Sequence, residues 1–275
     1  MKRLVQPELL DALPPDDPRA IRARHDLRRV NAWMRNHSIM ARELQNYLNG
    51  RCGGRQTGAL LPGNEMSSSL PEAATPVRQI VDLGAGDGHF LARVAKDISS
   101  RWPGVNAILL DNQKIVNAHI LLSFASFGWQ AEAVTANVSD WLPATAGLDV
   151  AIANLFLHHF DDGRLAGLFR AIAGRARLFV ALEPRRAPWP LFCSRWLWAI
   201  GCNSVTRHDA VASVRAGFSG AELTALWPDK KNWHLIERRA GPFSHLFVAT
   251  KIDLKCADVT ASRPGGTMTC SRSPR

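Results

Sequence analysis

The segment VDLGAGDGHF (residues 81–90) carries the residue types and the spacing from which chemistry can be built. An apolar run reaches Asp82, and Gly84, Gly86 and Gly88 follow at alternate positions. Glycines there let the backbone turn sharply and approach a ligand, and a helix opening next offers free N–H groups. A dinucleotide loop, G-x-G-x-x-G, would need glycine where His89 stands. An acid before the loop and no lysine within it disfavour a phosphate and favour a cationic, zwitterionic ligand. Asp111 ends the next apolar run, 23 residues beyond Gly88. A carboxylate at that point can accept hydrogens from two hydroxyls.

Three histidines are candidates for a general base. His158 and His159 follow the run LDVAIANLFL, and His208 lies in TRHDAVASVRAGF. Imidazole titrates near neutrality and suits the deprotonation of a phenol whose pKa is near 10. Neighbours on an extended strand face opposite sides, so one of His158 and His159 is expected to reach a site. Packing or ligand contact is the alternative role for both. The stretch RRAPWPLFCSRWLWAIGCN (185–203) crowds Trp189, Phe192, Trp196 and Trp198 together, with Arg185, Arg186 and Arg195 among them. It reads as a lid over a bulky apolar substrate, as a helix packed into the core, or as a membrane-surface helix with basic flanks. As a lid, its arginines would hold an acidic substrate group or a lipid phosphate at the rim.

The elements that must position these residues are legible from hydrophobic period. Residues 1–50 read as one or two amphipathic helices with an arginine-rich outer face, forming a helical N-terminal cap. Residues 51–76, rich in Gly, Ser and Pro, have no period and read as a flexible linker. Apolar strands are expected at 77–83, 105–111, 131–138, 148–157 and 177–184, with helices at 89–102, 114–128 and 161–176 between them. Near-continuous apolar strands alternating with helices predict an α/β fold with a parallel sheet covered on both faces. A short helix over 219–228, with Ser219 and Glu222 as a capping box, precedes two closing strands at 232–241 and 243–252. Residues 253–275 read as a disordered basic tail.

Taken with this order of elements, the glycine segment resembles motif I of the class I S-adenosylmethionine (SAM) dependent methyltransferases, across residues 77–252. The resemblance implies a Rossmann-like, mostly parallel sheet with an antiparallel closing strand, a lid at 185–218, and SAM as cofactor. It places Asp82, Gly84, Ala85, Gly86 and Gly88 around the cofactor and turns Asp111, with Asn112, toward the ribose hydroxyls. Asn137 and Val138 in TANVSDWLP would lie near adenine, with Asp140 competing for the Asn137 role. Asn154, Leu155 and Phe156 would face the methionine end. Base N-methylation is disfavoured, because Asn154-Leu155-Phe156-Leu157 stands where a [ND]-P-P-[YFW] box would be. PELLD, DLRRVNAW, LHHF and CNSVTRHDAVASVRAGFSGAEL further resemble bacterial methyltransferases that tailor polyketides, quinones or phenolic lipids. That resemblance implies O- or C-methylation of a hydrophobic, aromatic small molecule.

Composition sets the outer bounds. Across 275 residues, 46% are hydrophobic and 21% charged, which excludes wholesale disorder. No stretch of about 18 apolar residues suggests a membrane span, and the first residues lack the apolar core of a signal peptide. Five scattered cysteines without ligand spacing suggest reduced thiols in a cytoplasmic protein and no metal site. The net charge of +10 sits mainly on the segments flanking a near-neutral middle. It raises nucleic acid or an anionic membrane surface as partners, with solubility alone as the plain alternative. An RNA methyltransferase and a SAM-binding regulatory or scaffold protein without catalysis are the competing functional readings. The favoured partner is a small hydrophobic or aromatic substrate, with nucleic acid disfavoured and peripheral membrane contact left open.

Overall fold

The computed structural model of the protein describes residues 1–49 and 77–252. The expected linker (51–76) and tail (253–275) lie outside the described residues. Seven strands form one sheet: β1 (Gln79–Leu83), β2 (Asn106–Asp111), β3 (Gln130–Thr135), β4 (Leu148–Asn154), β5 (Ala176–Pro184), β6 (Trp233–Ala240) and β7 (Ser244–Lys251). Their order across the sheet is β3-β2-β1-β4-β5-β7-β6. β1 to β5 pair in parallel, and β7 runs antiparallel to both β5 and β6. The fold is therefore the expected Rossmann-like α/β sheet, mostly parallel, with an antiparallel closing strand.

Parallel neighbours need crossovers, and helices supply them. α1 (Leu9–Ala12), α2 (Pro18–Met34) and α3 (Asn36–Leu48) precede the sheet. α4 (His89–Ile98), α5 (Ala118–Ser126), α6 (Val138–Ala144) and α7 (Asp162–Arg175) connect β1 through β5. α8 (Pro188–Ser194), α9 (Ser204–Ala216) and α10 (Glu222–Leu226) lie between β5 and β6. β1, β4 and β5 are buried on both faces, which is why they read as unbroken apolar runs. One face packs Met40, Leu44, Leu91, Ile98, Phe124 and Trp129. On the other, the rings of Phe169, Phe179, Trp227 and Phe247 lie 5.1–6.2 Å apart.

Local side-chain bonds and one strained residue move several boundaries. Asn117 Oδ1 accepts from Ile120 N at 3.0 Å, so the helix expected from 114 begins at Ala118. Asn137 Oδ1 accepts from Ser139 N at 2.8 Å, which ends the strand expected to reach 138 and starts α6, a helix the sequence reading did not place. The strand expected to reach 157 stops at Asn154, because Leu155 takes φ +55° and residues 157–159 form a 3₁₀ turn. A leucine at positive φ is uncommon and strained, and this one lies at the carboxyl edge of the sheet.

The N-terminal segment is bound to the sheet domain by specific polar contacts. Asp209 in α9 accepts the first N–H groups of α1, from Leu9 and Leu10, at 2.8 and 2.9 Å. Arg3 bonds Ala216 O, Asp162 and Phe160 O at 2.7–2.8 Å, with its guanidinium 4.4 Å over the Phe218 ring. Among the described residues no helix is long and apolar enough to cross a membrane.

Candidate active site

The carboxyl ends of β1, β2 and β4 open into a cavity of about 500 Å³, lined also by residues of α1 and α2. That volume is in the range of small-molecule sites. The glycine loop forms its floor, and its three glycines have three different jobs. Gly84 takes φ +72°, and a Cβ there would overlap the Phe156 ring. Gly88 takes φ +79°, and a Cβ would come within 2.9 Å of Ile120 and Leu109, so this glycine permits close packing of helix on sheet. Gly86 takes φ +57° with nothing within 4 Å of the Cβ position. Gly84, Ala85, Gly86 and Asp87 all line the cavity, but of the three glycines only Gly86 has open space where a side chain would stand.

Two carboxylates flank the loop. Asp111 accepts from Gly86 N and Gln113 N, both at 2.8 Å, so it ties the loop to the end of β2 before any ligand is considered. Asp82 is buried, and its Oδ2 has no hydrogen-bond partner. Burial, reinforced by the charge of Asp111, pushes the Asp82 carboxyl well above the usual carboxylate range. A cationic group placed beside it would satisfy the unpartnered oxygen and draw off the proton.

The turn after β4 is built around Glu183, the penultimate residue of β5. Its Oε1 accepts from Phe156 N and Leu157 N at 3.0 and 2.9 Å, and its Oε2 lies 2.8 Å from His158 Nδ1. His158 Nε2 lies 3.2 Å from Glu8 Oε1, just before α1. Burial alone would lower the His158 pKa, but the bonds to Glu183 and Glu8 outweigh it and hold the ring at about 9. Burial would likewise raise Glu8, yet its contacts with His158 and His159 keep its carboxyl well below the usual range. Both His158 nitrogens are therefore engaged by carboxylates that favour the charged ring. His159 also lines the cavity, since a 3₁₀ turn does not alternate as a strand would. Its Nε2 is 3.4 Å from Glu8 Oε2 but not directed as a hydrogen bond. Glu8, His158 and His159 bring one ligand-type atom each within 4.8 Å of the others, but both His158 nitrogens are already held by carboxylates.

Of the other expected site residues, Ala85, Asn112, Asn137, Val138, Asn154, Leu155 and Phe156 line the cavity, while Asp140 does not. The Asn137 carbonyl expected near adenine is already accepting the cap bond of α6. The Asn154 amide bonds Asn36 at 3.0 Å and Asn31 at 3.3 Å, joining β4 to the N-terminal helices. His208 does not line the cavity; its side chain is 52% exposed and bonds Asp209 at 2.9 Å. Arg186 is buried against Ser219 and Glu222, so it cannot hold a substrate group at a rim.

The aromatic stretch also lies off the cavity. Trp189, Phe192, Trp196 and Trp198 are 50–58% exposed, and none lines the cavity. The inward side of this segment is taken by Pro190, Ser194 and Leu197, so helical spacing turns the large rings outward. Both the lid and the core-helix readings fail for these four residues. Residues in or behind this cavity that the sequence reading did not single out are Glu8, Asn31, Asn36 and Glu183. Only Glu183 gave a signal, as a lone acid near the end of the apolar strand RLFVALEP.

No protein-family model matches the chain. A stretch of 101 residues is 33% identical to an uncharacterized methyltransferase of Mycobacterium bovis, covering 36% of this chain and 47% of that protein. An uncharacterized methyltransferase of Mycobacterium tuberculosis matches over the same extent. The match spans about half the length of these curated relatives. Among solved structures, the plantazolicin methyltransferase BpumL, in complex with SAH, is similar with a TM-score of 0.56 at 9% identity. That likeness covers 86% of this chain and 91% of the other, and at such identity it speaks for the fold. Strand order, the glycine loop after β1 and this likeness together show a Rossmann-like fold similar to that of the methyltransferase BpumL.

Proposed function

We propose that the cavity binds SAM and that the chain transfers its methyl group to a hydrophobic, aromatic small molecule, on oxygen or carbon. The observation that carries the reading is the floor of the cavity. An open Gly86 backbone, a buried and unpartnered Asp82 oxygen, and the Asp111 carboxylate lie together there. Those donors and acceptors fit an amino acid joined to a ribose: Asp82 suits the ammonium, and Asp111 suits the hydroxyls. When bound, SAM supplies an electrophilic methyl on a sulfonium that leaves as a neutral thioether. The chain must hold the acceptor in line, exclude water, and receive the acceptor's proton. His159 is the group placed for that last task, with Glu8 beside it to stabilise the imidazolium formed.

Two measurements test the cofactor site. Asp111→Ala weakens binding of S-adenosylhomocysteine by about 1–3 kcal/mol, because two hydroxyls lose their acceptor and Gly86 N loses its tie. Equal affinity by calorimetry in wild type and variant would show that Asp111 does not meet the ligand. The second concerns protons. Asp82 holds its proton above the usual carboxylate range in the ligand-free chain and gives it up to pair with an ammonium. Ligand affinity therefore falls as pH is lowered through that raised value, by up to about tenfold per unit. Calorimetry in buffers of different ionisation enthalpy should record proton release on binding. Proton uptake, or none at any pH between 5 and 8 (roughly the range where the protein is stable), would remove Asp82 from the ammonium site.

A further inference from the structure

We propose that the aromatic segment after β5 is a membrane-docking surface that seats on a bilayer with anionic headgroups. Trp189, Phe192, Trp196, Trp198 and Ile200 are each half or more exposed. The four rings form a continuous ladder, with successive centroids 5.8, 5.9 and 5.7 Å apart. Isolated apolar side chains on a surface need no explanation, but a contiguous patch of large rings does. The patch stands on a fixed base: Pro190, Ser194 and Leu197 are buried beneath it. Asp26 of α2 accepts from Asn203 N at 2.8 Å just beyond it. The rings are thus presented outward by a packed segment, not left over from a loose one.

Charge decides what kind of surface they meet. Residues 184–208 contain no Asp or Glu but four arginines, of which Arg186 is buried against Glu222 and adds nothing to the surface. Arg195 is exposed between Phe192 and Trp196. At the far end, Arg22 and Arg29 of α2 donate to the carbonyls of Gly201 and Ile200 at 3.2 and 3.0 Å. The acid they share, Asp26, is fully buried beneath them and does not face outward. Tryptophan-rich apolar faces rimmed by arginine match the headgroup level of a bilayer, where indoles sit at the interface and arginines meet lipid phosphates. Vesicle binding does not require methyl transfer, so this surface stands or falls apart from the function proposed above.

The test is sedimentation of the full chain with vesicles of phosphatidylcholine alone and with phosphatidylglycerol added. Binding is expected to the anionic vesicles, about tenfold or more weaker to the neutral ones, and to be lost at high salt. Trp196→Ser combined with Trp198→Ser should cut binding by at least about tenfold while the melting temperature holds, since both rings are already solvent-exposed. Arg195→Ala, which disturbs no packing, should weaken it about fivefold. Brominated lipid should quench tryptophan emission in the wild type and much less in the double variant. Three results would each overturn the proposal. One is no binding to anionic vesicles, and another is binding that neither variant changes. The third is a wild-type dimer by light scattering that the tryptophan variants convert to monomer, which would make a second copy of the chain the occupant.

Discussion

Gly86→Val abolishes binding of S-adenosylhomocysteine and leaves the fold in place. The two halves of that expectation come from the same geometry. At φ +57° a β-branched residue is strained, which costs about 1–2 kcal/mol and a few degrees of melting temperature. Nothing in the protein lies within 4 Å of the new Cβ, so no packing is displaced. The valine methyls instead occupy open space beside a stretch of the loop that lines the cavity. Gly84→Ala gives the contrasting result. Its methyl collides with the Phe156 ring, so it costs stability and disturbs the turn that carries His158 and His159. Calorimetry and thermal melts on the two variants separate a ligand-facing glycine from a packing glycine. Unchanged affinity in Gly86→Val would remove the cofactor assignment.

The second large effect is on turnover. His159→Ala should lower the rate with a phenolic acceptor by about 10²–10⁴ while cofactor affinity is retained. His208→Ala should leave the rate near normal, because that side chain is exposed and off the cavity. His158→Ala should behave differently from both. It leaves the buried Glu183 carboxylate and the partly buried Glu8 carboxylate without the imidazolium between them, so it costs stability by several kcal/mol. The sign with pH follows from the raised His158 value. A histidine whose folded pKa is about 9 contributes stability that is fully present below its ordinary value near 6.5. That contribution is lost as pH rises from there through about 9. Wild type should therefore lose more stability between pH 6.5 and 9 than His158→Ala does. A normal rate in His159→Ala would exclude histidine as the base and point to a carbon nucleophile or an already ionised acceptor.

The parallel sheet and the glycine loop that follows its first strand were legible in the sequence. Those follow from local rules. A doubly covered parallel strand must be apolar along its whole length, and a loop that turns at once into a helix needs glycine at positive φ. Asp82, Gly86 and Asp111 come together at one cavity because they lie on consecutive elements joined by one short crossover. The tertiary structure decided the rest, because it depends on residues far apart in the chain. Glu8 and Glu183 meet at His158 across 150 and 25 residues, and that meeting engages both nitrogens of a candidate base. Gly84 also leaves room for the Phe156 ring, which no spacing within the loop could reveal. The aromatic stretch at 185–203 shows the same limit. Its composition announced a special surface, but which way the rings point was settled by what Pro190, Ser194 and Leu197 could bury against, and that is a property of the packed fold.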